Sequence, residues 1–215
     1  MVVNDLNQMR DNLLMMGGAT EKAIALSARA LIERDSDLAE RVIQEDDAID
    51  RMELEIDARG ADLLLLRPPT SYDLRVALAI IRTAPIVERI ADHAVNIAKH
   101  ALVLNNEPQL EMKIDISRLA RLVQEMLVAG LDAFTSVDPE RAQQIIERDD
   151  EVDALYDIYY TEVIQTMRAD PANIRSGAEW LFILKHFERI ADYVTNICEQ
   201  TVYLARGQVI KHTIW

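Results

Sequence analysis

Eight acidic side chains in this 215-residue chain occur as four pairs, and the two members of each pair are four residues apart. The pairs are Asp46/Asp50, Glu88/Asp92, Asp149/Asp153 and Glu188/Asp192. Residues at this spacing lie on one face of an α-helix, separated by about 6 Å of rise. Carboxylate oxygens are ligands that Mg²⁺, Ca²⁺, Mn²⁺ and iron accept. A single pair indicates only a solvated helix face, so a metal site is predicted only if several pairs converge.

All four pairs belong to sequences that occur twice. ERIADHAVNI at 88–97 returns as ERIADYVTNI at 188–197, with seven of ten positions identical and an offset of 100 residues. VIQEDDAID at 42–50 is likewise similar to IIERDDEVD at 145–153. The chain is therefore interpreted as a duplication of one acidic unit.

Composition and turn signals predict helices on both sides of these repeats. Half of the residues are apolar, aromatic residues make up 5%, and there are 6 Gly and 6 Pro, which is typical of an all-α protein. Turn and N-cap signals stand at Asp35-Ser36, Pro68-Pro69, Asn105-Asn106-Glu107-Pro108, Asp138-Pro139 and Asp170-Pro171. We predict six helices, at roughly 4–33, 36–66, 71–105, 113–137, 139–169 and 172–205.

The predicted fold is all-α, with two tandem pseudo-repeated three-helix bundles at 1–107 and 108–215. Gly17-Gly18 and Pro85 fall inside predicted helices, where we expect a bend or local irregularity. Cys198 aligns with Ala98 and is predicted to be a small core residue.

In the first half, the acidic pairs are predicted to lie level across a helical hairpin. Asp46 and Asp92 are almost equally distant in sequence from the turn at Pro68-Pro69. The same is true of Asp50 and Glu88. Because packed helices lie about 8–10 Å apart, carboxylates that project from both can converge.

The second half repeats this placement around a different turn. Asp149 and Asp192 are equally distant from Asp170-Pro171, and so are Asp153 and Glu188. Two unit charges 5 Å apart repel by about 3 kcal/mol at an effective dielectric near 20. Four such carboxylates therefore need a proton, an arginine or a cation, and the sequence predicts metal binding at both sets.

Other polar residues accompany the pairs. Arg89 and Arg189 each lie three residues before an aspartate and could form ordinary ion pairs with it. Asn96 and Asn196 extend the acidic stripes by one turn, and each could be a ligand, a hydrogen-bond partner of a ligand or plain helix surface. The stripe of the third predicted helix covers an arc of about 80° opposite the apolar positions, so we expect it to face away from the bundle core.

Charge and composition exclude several function classes. The net charge is −14, from 37 acidic residues against 23 lysines and arginines, which argues against binding nucleic acid or anionic lipid. No apolar stretch reaches the length of a membrane span, and the first ten residues do not have the pattern of a secretory signal. A single cysteine is consistent with a reducing compartment.

Two alternatives to a non-catalytic metal-binding protein remain open at this point. A metal-free helical scaffold with paired acidic patches has the same sequence pattern. A di-iron carboxylate enzyme is the remote alternative, since such sites use E-x-x-H motifs and none occurs here. The histidines at 93, 100, 186 and 212 do not repeat between the halves and are assigned no role.

ERIADHAVNI and ERIADYVTNI, each preceded by a D-x-x-x-D pair, closely resemble the PhoU family, whose four E/D-x-x-x-D motifs fall two to a bundle. The chain departs from the family in having Ala91 and Ala191 where glycine is frequent. The resemblance implies ion binding at the eight carboxylates, with Arg89, Arg189, Asn96 and Asn196 beside them. It leaves open which divalent or multinuclear ion binds: Mg, Mn, Fe or Zn.

The resemblance also implies a role. Proteins of this family are helical adaptors, often homodimeric, that repress the phosphate regulon when phosphate is plentiful. They contact the phosphate ABC transporter, notably its ATPase PstB, and the sensor kinase PhoR. The chain is thus expected to be a cytoplasmic regulator rather than an enzyme, peripheral to the inner membrane only through its partners.

Overall fold

The computed structural model describes residues 2–66 and 70–207. Within them the chain forms α1 (Val2–Glu33), α2 (Ser36–Leu66), α3 (Ser71–Asn105), α4 (Ile116–Ser136), α5 (Pro139–Glu147), α6 (Asp149–Ala169) and α7 (Ile174–Arg206), with a 3₁₀ turn at Pro171–Asn173 before α7. The all-α prediction is confirmed. The turn predicted at Pro68-Pro69 and the tail from 208 onward lie outside the described residues.

The predicted helix starts are explained by side-chain caps. Asp35 accepts a hydrogen bond from the backbone N–H of Leu38 at 3.0 Å, and Asp138 accepts one from Arg141 at 2.9 Å. Asp115 does the same for the first turn of α4, which begins three residues later than predicted. Each cap satisfies an N–H group that has no partner within its helix.

The fifth predicted helix differs from expectation, because it is divided into α5 and α6 at Arg148. The Arg148 N–H donates to the carbonyl of Ile145, and the Glu151 N–H donates to the carbonyl of Arg148, both at 3.1 Å. These hydrogen bonds between residues three apart tighten one turn of an otherwise continuous helix. No glycine or proline marks the position, so sequence punctuation could not reveal it.

The two halves share one hydrophobic core. In the first half α3 packs against α1 and α2, and in the second half α7 packs against α4, α5 and α6. The helices α3 and α7 also pack against each other, and α1 contacts α4. Cys198 on α7 is fully buried in this core, as predicted. Within the described ranges, no helix has the combined length and apolarity that crossing a membrane requires.

The contact between α1 and α4 predicts opposite effects for two adjacent glycines. Helix α1 continues through both without interruption. A Cβ atom on Gly17 would collide with Leu131 of α4, whereas one on Gly18 would meet open space. Leu131 is only 6% exposed, so its side chain has little room to move away. We expect Gly17→Ala to lower the free energy of unfolding by about 1–2 kcal/mol.

Gly18→Ala is the matched control, because alanine has the higher helix propensity and should stabilise α1 by up to about 1 kcal/mol. Urea unfolding of both variants measures the difference. Equal stability of the two variants would contradict the tight approach of α1 to α4.

Candidate functional site

The first acidic cluster consists of Asp46 and Asp50 on α2 with Glu88 and Asp92 on α3. Burial, followed by the charges of Asp50 and Asp92, raises the pKa of Asp46 to about 6. The pKa of Asp50 is raised by burial and then by Asp92. Burial, Asp92 and Asp50 raise the pKa of Glu88 in the same way. These effects reach across the α2–α3 pair, so the four side chains form one electrostatic group.

The second acidic cluster consists of Asp149 and Asp153 on α6 with Glu188 and Asp192 on α7. Burial is the largest cause that raises the pKa of Asp149, to about 7, followed by the charges of Asp153, Asp192 and Glu188. Burial and Asp192 raise the pKa of Asp153. The duplicated sequence thus produces a second electrostatic group between the corresponding pair of helices.

The acidic side chains are more buried than an outward-facing stripe implies. Asp46, Glu88 and Asp149 are all partly buried, and Glu188 has only 16% of its side chain exposed. Asp50, Asp92 and Asp153 are exposed, so the expectation that the stripes face away from the core holds for these residues and needs correction only for the partly buried ones. The carboxylates lie where neighbouring helices meet, and for this reason burial leads the causes of the raised pKa values.

Lysine and arginine partners distinguish the second cluster from the first. Lys185 Nζ lies 2.6 Å from Glu188 Oε1, and Arg189 Nη1 lies 3.0 Å from Asp192 Oδ2. The contact between Arg189 and Asp192 is the ion pair that their separation of three residues allows on a helix. In the first half, Pro85 occupies the position that corresponds to Lys185.

Among the described residues, no ion pair or side-chain hydrogen bond involves the four carboxylates of the first cluster. Arg89 lowers the pKa of Glu88 by its charge, but it does not reach ion-pair distance of Asp92. Asn96 and Asn196 are partly buried, and their side chains make no hydrogen bond within the same ranges. Lys99 lowers the pKa of Asp46 by its charge, so the first cluster has cations nearby but no ion-paired lysine or arginine within the described ranges.

The side chains of the two acidic clusters do not form a complete metal coordination shell in this structure. Across the part of the chain that the structure describes, no three histidine, cysteine, aspartate or glutamate side chains are grouped closely enough to hold a metal ion. Glu188 Oε2 is nevertheless buried without a hydrogen-bond partner. The donors fit a hard cation in kind, since all are carboxylates, and their role as metal ligands stays a prediction.

Sequence reasoning missed a histidine cluster between the two halves. His93 on α3 and His186 on α7 bring their Nδ1 atoms within 2.8 Å. His100 Nδ1 lies 2.6 Å from Glu179 Oε2 in the same interface. None of these histidines has a counterpart in the other half, so the repeat pattern gives no signal for them. Their proximity arises from the antiparallel packing of α3 on α7, which joins non-equivalent positions of the two repeats.

Burial controls the protonation of the close pair. It is the largest cause that lowers the pKa of His93. Burial, and then the charges of His93 and His100, lower the pKa of His186 to about 4. Both rings are therefore neutral at neutral pH, so one Nδ1 donates and the other accepts in their contact.

Comparison with known proteins identifies the family. The model of the PhoU domain matches residues 13–101 and, a second time, residues 116–201. The chain belongs to the PhoU family. The duplication inferred from the two acidic repeats is thus a duplication of the PhoU domain, although the boundary predicted at 107/108 stays a prediction.

Relatives in this family match the chain over nearly its whole length. The phosphate-specific transport system accessory protein PhoU homolog of Clostridium acetobutylicum is 34% identical, over 96% of this chain and 95% of its own. The corresponding protein of Aquifex aeolicus is also 34% identical, over 97% and 94%. The chain is therefore comparable in extent to these PhoU homologs.

Solved PhoU structures confirm the all-α architecture. The phosphate transport system regulatory protein PhoU from Streptococcus pneumoniae superposes with a TM-score of 0.91 at 31% identity, covering 98% of this chain and all of that one. PhoU from Pseudomonas aeruginosa gives 0.92 at 33% identity, covering 97% and 100%. The helices that carry the two acidic clusters thus have the arrangement of this family.

Proposed function

We propose that this PhoU-family protein is a negative regulator of phosphate uptake and of phosphate-regulon signalling. The observation that carries the proposal is the match, along nearly the whole of both chains, to accessory and regulatory proteins of phosphate transport. Both PhoU domains are present with all four acidic pairs. The role needs no catalytic step, and no enzymatic activity is proposed.

The proposed mechanism is that of an adaptor in the cytoplasm. It contacts the ATPase of the phosphate ABC transporter, PstB, and the sensor kinase PhoR, and it reaches the inner membrane only through them. A net charge of −14 favours partners with basic patches and accelerates their encounter. The protein acts as a homodimer in this proposal.

Ion binding at the two acidic clusters is the second part of the proposal. Asp46, Asp50, Glu88 and Asp92 would hold a cation such as Mg²⁺ or Mn²⁺ in the first cluster, with Fe or Zn as alternatives. Burial is the largest cause of the raised pKa of Asp46, and a bound cation would offset the repulsion by Asp50 and Asp92 that adds to it. The first cluster is the stronger candidate because neither lysine nor arginine pairs with it.

A cation would also change the surface that a partner meets. Four uncompensated carboxylates attract a basic patch, whereas an ion-loaded cluster presents less negative charge and more fixed side chains. Ion occupancy would thereby bias the choice between transporter and kinase. Asn96, Asn196, Arg89 and Arg189 would orient or neutralise the carboxylates beside them.

A metal-free acidic scaffold is the competing version of the same role. It is favoured by the absence, in the described ranges, of three side chains already grouped as ligands. If the scaffold binds no metal, protein purified without chelators should contain none. The metal-free version also expects Mg²⁺, Mn²⁺, Zn²⁺ and Fe²⁺ to leave the melting temperature unchanged, whereas the ion-binding version expects an increase with at least one of them.

A reporter assay in the host organism tests the regulatory role. Deletion of the gene should raise the activity of a phosphate-regulon promoter in phosphate-rich medium, and a plasmid copy should restore repression. Purified protein should bind the transporter ATPase or the kinase domain in a salt-sensitive manner. An unchanged promoter after deletion would overturn the proposal.

A further inference from the structure

The interface between α3 and α7 contains a pair of histidines with facing nitrogens. The Nδ1 atoms of His93 and His186 are 2.8 Å apart, and the ring centroids are 5.1 Å apart at an interplanar angle of 43°. Both side chains are partly buried. Two neutral imidazoles that face each other through the same ring nitrogen hold a single proton between them.

This separation is close to that of two ligands on one metal ion. At zinc–imidazole distances of about 2.0–2.1 Å, two nitrogens lie about 2.9 Å apart at a right angle and about 3.4 Å apart in tetrahedral coordination. Small rotations of two side chains supply the difference. Moving the shared proton to an Nε2 atom leaves two Nδ1 lone pairs directed into the same gap.

A third histidine of the same interface lies beside the pair, but its Nδ1 atom is already hydrogen-bonded to Glu179. The His100 ring lies 5.4 Å from that of His186. Water can complete the coordination of an ion that the two imidazoles hold.

We propose that His93 and His186 form a two-imidazole binding site for a nitrogen-preferring transition-metal ion, such as Zn²⁺, Ni²⁺ or Cu²⁺, which fastens α3 to α7. Such an ion links the two PhoU domains through the helices at their interface. Because the pair supplies two ligands, this site is compatible with the absence of a group of three in the described residues.

The site differs from the acidic clusters in chemistry and in origin. Imidazole nitrogen suits Zn²⁺, Cu²⁺ and Ni²⁺, whereas carboxylates alone suit Mg²⁺ and Mn²⁺. The positions that correspond to His93 and His186 in the other repeat are Tyr193 and Ile86. The duplicated interface therefore contains one such pair, and failure of the regulatory proposal would leave this site untouched.

Calorimetric titration of the full chain with Ni²⁺, in a large excess of Mg²⁺ to occupy the carboxylates, tests the proposal. Wild type should bind one Ni²⁺ per chain at this site, and His93→Ala and His186→Ala should each weaken binding at least about tenfold. His100→Ala is the matched control in the same interface and should retain wild-type affinity. Wild-type affinity in His93→Ala would overturn the proposal.

A second measurement requires no variant and therefore no assumption about folding. Electron paramagnetic resonance of wild-type protein with one equivalent of Cu²⁺ should show hyperfine splitting from two nitrogen ligands. A spectrum with oxygen ligands alone, in the same Mg²⁺ buffer, would contradict the two-imidazole site.

Discussion

Replacing the four carboxylates of the first acidic cluster with amides should lower Mn²⁺ affinity there by about 100-fold or more, equivalent to about 3 kcal/mol. The variant is Asp46→Asn, Asp50→Asn, Glu88→Gln and Asp92→Asn. These changes remove the negative charge and keep the size of each side chain. Because no lysine or arginine pairs with the cluster, its charge is available to a cation.

The duplication provides a matched control for this experiment. The equivalent amides at Asp149, Asp153, Glu188 and Asp192 should remove a weaker class of site, because Lys185 and Arg189 already pair with two of those carboxylates. Calorimetry resolves the two classes by affinity. If the first-cluster variant binds Mn²⁺ as tightly as wild type does, the ion-binding role of that cluster is excluded.

Asp149→Asn should stabilise the metal-free protein at pH 8 by about 1–2 kcal/mol. Burial and four neighbouring carboxylates raise the pKa of Asp149 from 3.8 to about 7. A full shift of this size corresponds to about 4 kcal/mol, and solvent screening at a partly exposed position reduces it. An amide cannot ionise, so the variant does not carry the free-energy cost of ionising a carboxylate at this position.

The pH dependence follows from the raised pKa. The folded state holds a proton on Asp149 more tightly than the unfolded state does, so this group favours folding fully below about pH 4. That contribution is lost as the pH rises through about 7. The advantage of Asp149→Asn should therefore be large at pH 8 and small at pH 5.

Urea unfolding in the presence of a chelator measures this effect at both pH values. Asp150→Asn is the control, since Asp150 is exposed and its charge is the smallest of the four that raise the pKa of Asp149, so this variant should have the smaller effect. A stabilisation by Asp149→Asn that is the same at pH 5 and pH 8 would contradict the electrostatic origin.

The helices and the level placement of the acidic pairs follow from local rules. Asp35 and Asp138 mark helix starts because their side chains accept backbone hydrogen bonds there. Equal distance from a turn predicts that Asp46 lies opposite Asp92; burial is the largest cause of the raised pKa of Asp46, and the charges of Asp50 and Asp92 add to it. These features depend on neighbours in sequence or on one hairpin, both of which are readable from residue spacing.

Features that depend on packing between elements were not predictable in this way. The tight turn at Arg148 carries no glycine or proline. The neutralisation of Glu188 by Lys185 depends on a residue that the other half replaces with Pro85. The proximity of His93 and His186 depends on how one repeat packs against the other. The repeated sequence motifs contain no information about that packing.

Anomalous diffraction from crystals soaked in Mn²⁺ is the most direct test of cation binding between the paired helices. The account predicts a peak between α2 and α3, within coordination distance of carboxylate oxygens from both helices in the first acidic cluster, and a weaker one or none between α6 and α7. A map that resolves the carboxylates of both clusters and contains no manganese peak beside either would contradict it.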